Sequence, residues 1–142
     1  MRVVVDTSTT FSALAFNGTP ARVLEALHAS EEWEVAISVQ MRDELHRKLV
    51  EKGKNSPDVL FALQRYFALC VLVEPAQTIH LCRDADDDFI LDCAVEAGAT
   101  LIITSDSDLL ALSGHPAIKQ IEIIDVQEAR RRFITGIGTR NP

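Results

Sequence analysis

The sequence predicts an α/β fold, a three-layer sandwich around a central, mostly parallel sheet. Two observations carry this. Short apolar, β-branched runs without polar alternation (VVV at 3–5, VAI at 35–37, LII at 101–103) read as strands covered on both faces. Segments with helical spacing of apolar residues stand between them, and strands alternating with helices imply a parallel sheet.

The elements follow in order. Residues 1–5 form the first strand, and 7–12 are small and polar. A helix is expected over 20–29, with Val23, Leu24 and Leu27 on one face and Pro20 suited to its first turn. Residues 34–38 form a second strand. Ser38 can cap a helix over 39–52 that carries Met41, Leu45 and Leu49 on one face. KGKNSP at 52–57 is a loop. A helix over 58–69 leads to a strand at 70–73, which Pro75 ends. A helix over 87–97 closes on Gly98, then come a strand at 101–103, a helical turn at 108–112, a strand at 121–124 and a helix over 126–133.

The 142 residues fit one domain over 1–134, with a loose tail over 135–142 that holds Gly136 and Gly138. A hydrophobic fraction of 47% and a charged fraction of 25% suit a soluble globular chain. No apolar run approaches the roughly 18 residues of a membrane span. MRVVVDTS does not read as a signal peptide, because its apolar run is short and ends in an aspartate. The expected location is cytoplasmic. Cys70, Cys82 and Cys93 are an odd set without CxxC spacing; Cys70 and Cys93 read as core thiols. The histidines do not pair with them at zinc-ligand spacing. The formal charge of −7 weighs against broad nucleic-acid binding through a basic surface. It weighs little against an enzyme whose acids a divalent cation neutralises.

In a parallel α/β sheet, sites form at the carboxyl ends of the strands. Asp6 directly follows VVV, and Asp106 follows LIITS with Asp108 close behind. Each alone could be a turn or helix-cap residue. Together with Asp87 or Asp88 of RDADDDFILDCA, which opens the helix before the 101–103 strand, they converge by topology on one crevice. Carboxylates gathered there repel one another. A hard cation such as Mg²⁺ or Mn²⁺ removes that penalty, and such sites act on phosphates. A covalent phosphatase of DxDx[TV] type lacks its second acid, since Ser8 stands there. No GxxxxGK[ST] or GxGxxG motif is present.

These residues resemble the PIN-domain nucleases. VVVDTSTTFSALAF is similar to that family's first strand and acid, usually DTN followed by small and apolar residues. CRDADDDFILDCAVEAGATLIITSDSDLL resembles its third-acid helix and the strand ending in T-x-D-x-D-L. The order of elements over 1–133 follows the family. The resemblance is strongest to the toxins of bacterial toxin–antitoxin pairs, which carry a similar acidic run.

The resemblance implies a PIN-like fold and catalytic acids at Asp6, Glu44, Asp87 and Asp106. Glu44 lies in RDELHRKL; Asp43 is equally eligible by periodicity, and only the resemblance selects Glu44. Asp88 competes with Asp87. Asp84 and Asp86 are expected to be solvated, and Asp92 to lie on an exposed helix face. Metal ligands would be Asp6, Asp87 and Asp106, with Asp108 in an outer or supporting position. Thr7, Ser8, Asp88 and Thr104 would support them, Ser8 replacing the family's asparagine with a shorter side chain.

The implied reaction is hydrolysis of an RNA phosphodiester with one or two Mg²⁺ or Mn²⁺ ions and no covalent intermediate. Arg42, Arg47 and Lys48, with Lys52 and Lys54, are candidate phosphate contacts, or a solvated charged face. Arg130, Arg131 and Arg132 suit a helix C-terminus instead. The implied partners are an RNA substrate, a cognate antitoxin and a second copy in a homodimer, with no membrane. Two other functions fit the residues: a PIN-like RNA- or protein-binding scaffold with weak or no catalysis, and a metal-dependent phosphatase.

Overall fold

Strand β1 (Arg2–Val5) lies in the middle of a five-stranded sheet. Its valines are at most 1% exposed, as a strand covered on both faces requires. The computed structural model describes residues 1–76, 80–82 and 85–135, the side chains of 85, 86 and 135 apart. Of the expected tail over 135–142, residues 136–142 lie outside the described residues, as do the acid Asp84 and the side chain of Asp86.

After β1 come α1 (Thr7–Ala15), α2 (Thr19–Ala29), β2 (Glu34–Ser38) and α3 (Val39–Glu51). Next are α4 (Pro57–Leu69), β3 (Val71–Val73), α5 (Ala85–Ala97) and β4 (Leu101–Ile103). The chain ends with α6 (Ser107–Leu110), β5 (Glu122–Ile124) and α7 (Val126–Arg130). A 3₁₀ turn spans Pro116–Ile118, and a π turn, Arg131–Thr135, follows α7. Every strand pair is parallel, so "mostly parallel" becomes wholly parallel among the described residues.

The strand order is β3-β2-β1-β4-β5. The chain builds outward on one side of β1, then returns and builds on the other. The reversal therefore falls between β1 and β4, where a crevice opens beyond their carboxyl ends. Register is fixed there by Val3 opposite Leu101, Val4 opposite Ile102 and Val5 opposite Ile103. Ser38 caps α3 as expected, its hydroxyl accepting from the Met41 amide at 3.2 Å. Gly98 takes φ 65°, the left-handed conformation that ends α5.

One helix lay hidden in the sequence. The segment TSTTFS looks polar and small, yet it opens α1. Thr7, Thr9, Thr10 and Ala13 are buried, and the helix packs on α2, α3 and α4. Tertiary packing and a cap at Asp6 overcome the weak helix propensity of threonine and serine. Helix α5 departs from expectation in another way. It crosses back from the edge strand and packs on β1, β2, β3 and α3. Asp92 is accordingly 4% exposed, not on an exposed face as its position in the sequence suggested. A helix wrapped by neighbours on several sides has no fully solvated stripe, so an acid there is buried with partners.

Candidate active site

The site is built from the ends of β1 and β4. The Asp6 amide donates to the Ile103 carbonyl at 3.0 Å, which continues the β1–β4 ladder into the acid itself. Asp6 is 3% exposed. Its Oδ1 accepts from the Thr9 amide at 2.7 Å and caps α1. Its Oδ2 accepts from the Thr104 hydroxyl. Thr104 is fully buried and held by its own amide on the Ile124 carbonyl, 3.0 Å away. The same hydroxyl oxygen accepts from the Asp106 amide at 2.9 Å. One threonine thus links two acids that stand far apart in sequence. Asp106 in turn caps α6, Oδ1 accepting from the amides of Asp108 at 2.7 Å and Leu109 at 3.3 Å. Asp108 is exposed, and its backbone supports Asp106.

The first turn of α5 supplies the next acids. Asp87 is half-buried. Asp88 is 4% exposed, and its Oδ1 accepts from the amides of Leu81 at 3.0 Å and Cys82 at 2.9 Å. The Cys82 thiol is pushed up to about 12, chiefly by burial, then by its hydrogen bond to Asp88 and the charges of Asp88, Asp87 and Asp106. The thiol thus lies within electrostatic reach of the start of α5 and the cap of α6. Sequence reasoning missed Cys82 here, because a lone cysteine without ligand spacing carries no signal.

Glu44 and Asp43 are told apart by their surroundings. The Glu44 side chain is 13% exposed and pairs with Lys48 at 3.2 Å; that of Asp43 is 69% exposed and pairs with Arg42 at 3.5 Å. Glu44 lines a shallow cleft with Gln40, Asp43, Arg47 and Phe89, where α3 meets α5. No hydrogen bond joins it to Asp6 or Asp106 among the described residues. Ser8 is exposed on α1, and the oxygens of Asp6 are held by Thr9 and Thr104 instead. The Thr7 and Thr9 hydroxyls are buried without a hydrogen-bond partner among the described residues.

The candidate phosphate-binding cations are already engaged. Arg47 pairs with Glu51 at 3.0 Å, Lys48 with Glu44, and Arg42 with Asp43. Lys52 and Lys54 are exposed, and the Lys54 ammonium lies 5.0 Å from the Phe16 ring centroid. Arg132 grips both oxygens of Glu122 and one of Glu128, a structural use of the basic run. A separate hollow lies elsewhere, lined in part by Leu24, Glu25, His28, Phe61, Arg65 and Tyr66 of α2 and α4. Cys70 touches His28 there at 4.0 Å, but burial pushes its thiol up to about 12, which suits an inert core group.

The donor set at the carboxyl edge is all oxygen and anionic, which suits a hard divalent cation. Among the described residues no three acids, histidines or cysteines are grouped closely enough to cage a metal. Mg²⁺ does not require such a cage, since it keeps several waters and binds through one or two carboxylates and the substrate's phosphates. The residues therefore fit such an ion by type.

A wholly parallel sheet with acids at its switch point defines an α/β protein with a carboxyl-edge acidic site. The sequence matches the PIN domain family over residues 2–108, and the chain belongs to that family. PIN domains are typically nucleases, and PIN domain nucleases generally use divalent metal ions. An uncharacterised protein of Methanocaldococcus jannaschii is 29% identical over 117 residues, covering 79% of this chain and 75% of that protein. Among solved structures, a chain of VapBC2 from Rickettsia felis, bound to a DNA fragment from their promoter, superposes with a TM-score of 0.60. The match covers 88% of this chain and 98% of that one at 15% identity, so it speaks for the fold. No helix among the described residues is long and apolar enough to cross a membrane.

Proposed function

We propose that the protein is a divalent-metal-dependent endoribonuclease that hydrolyses RNA phosphodiester bonds. The observation that carries this is the Thr104 hydroxyl, which donates to Asp6 and accepts from the amide of Asp106 at the switch point of a PIN-domain sheet. Asp6, Asp87 and Asp106 would hold Mg²⁺ or Mn²⁺, with Asp108 at its outer edge. When bound, such an ion supplies Lewis acidity to the phosphoryl oxygen and acidifies water. Thr104 and the Thr9 amide fix the Asp6 carboxylate, so no side-chain reorganisation is needed as negative charge gathers on the phosphate. Glu44, shielded in its cleft with Lys48 beside it, orients water or the leaving group from α3. Arg42, Arg47 and Lys48 would meet flanking phosphates once their ion pairs exchange partners. Water attacks phosphorus in line, the P–O bond to the leaving ribose breaks, and no covalent enzyme intermediate forms.

We assign the chain the toxin role in a toxin–antitoxin pair, acting in the cytoplasm as a homodimer. The named content of the Rickettsia felis complex motivates that assignment. The deciding measurement is cleavage of a mixed RNA pool by purified protein with Mn²⁺, with EDTA, and in the Asp6→Asn variant. Cleavage should require the ion and disappear in the variant. Cleavage in EDTA, or full activity in Asp6→Asn, would refute the mechanism.

A further inference from the structure

Neighbouring residues on a helix point about 100° apart, so Asp87 and Asp88 cannot serve one crevice in the same way. The structure shows what Asp88 does instead. Its buried Oδ1 takes two backbone amides, those of Leu81 and Cys82, from the segment that leads into α5. A carboxylate oxygen holding two N–H groups is strongly committed. Two amides bound to one atom also fix the rotation of the helix that bears it. Both donors belong to backbone that no regular element satisfies, and Asp88 answers that need.

We propose that Asp88 is a positioning residue: it clasps the backbone at residues 81 and 82 to the first turn of α5 and thereby aims Asp87 at the crevice of Asp6 and Asp106. The clasp needs an acceptor at Oδ1 and not a second metal-binding charge. This deepens the nuclease reading and rests on it for the role of Asp87. The clasp itself is a claim about the backbone.

The test uses the full chain and two readouts other than RNA cleavage: amide hydrogen exchange at Leu81 and Cys82, and Mn²⁺ binding by calorimetry. Asp88→Asn keeps a carbonyl acceptor, so both amides should stay protected and Mn²⁺ affinity should stay within about threefold. Asp88→Ala should speed exchange at both amides and weaken Mn²⁺ by about 10–100-fold, the usual cost of losing an outer-shell partner. Asp87→Asn should abolish binding with both amides still protected. Should Asp88→Ala fail to fold, Asp88→Ser serves in its place. Loss of Mn²⁺ in Asp88→Asn as complete as in Asp87→Asn would make Asp88 a ligand and overturn the proposal. So would unchanged exchange in the alanine or serine variant. A wild-type chain that binds no Mn²⁺ defeats the nuclease reading, and the amide comparison then decides the clasp by itself.

Discussion

At the residue scale, Thr104 carries the most consequence for its size. Its hydroxyl donates to Asp6 and accepts from the Asp106 amide, so a single oxygen sets the geometry of both acids. Thr104→Val keeps the shape and removes both bonds. We expect divalent-ion affinity or cleavage to fall by about 10–100-fold. Calorimetry with Mn²⁺ and initial rates on RNA check this, and an unchanged affinity would dissociate the hydroxyl from the site. Asp6→Asn behaves differently. Asparagine is a good N-cap, so α1 should survive with a stability loss of at most about 1 kcal/mol, read by urea denaturation, while activity disappears. Asp6 and Asp106 stood out in the sequence because a carboxylate at or just beyond the end of a buried apolar run is conspicuous. The choice between Asp87 and Asp88 did not, since the groups that claim Asp88 are backbone amides, which no side-chain pattern advertises.

At the scale of elements, legibility followed burial. Runs such as VVV and LII announce strands because nothing polar interrupts them. Helix α3 was legible because one stripe of Met41, Leu45 and Leu49 is buried and the rest is wet. Helix α1 was not, because its threonines are stabilised by what they pack on and by a cap from outside the helix. Helix α5 was legible as a helix but not in orientation, since neighbours on several sides erase its amphipathic stripe; Asp92 was misjudged for that reason. The end of the chain offers a pH test. Arg132 holds Glu122 below the usual carboxylate range, chiefly by hydrogen bonding. A depressed folded value means the stabilisation is complete above the unfolded pKa, about 4.3, and is lost as pH falls through the folded value. The Tm advantage of wild type over Arg132→Gln should thus be constant above about pH 5 and vanish in stronger acid. It should be small, because both side chains are more than a third exposed.

At the scale of the molecule, a net charge of −7 has to be reconciled with the polyanionic substrate proposed above. The candidate cations on α3 each sit against an acid, so the surface does not advertise itself to nucleic acid at a distance. Binding then depends on local exchange of partners. Arg47→Gln should raise KM several-fold, leave kcat unchanged, and reduce the salt dependence of KM by about one unit of slope. Rates measured across a range of KCl check this; a lowered kcat with unchanged KM would move Arg47 from phosphate contact to the chemistry.

The pairing of β1 with β4 also bears on when the protein becomes active. Asp6 and its hydroxyl partner stand 98 positions apart, and Thr104 is itself anchored on Ile124. Contacts of such long sequence separation form late in folding. During synthesis the first acid waits without the second, and a truncated chain never acquires it. Under the proposed function, that separation is a built-in delay that leaves an RNA-cutting centre unassembled until Thr104 and Ile124 have been made.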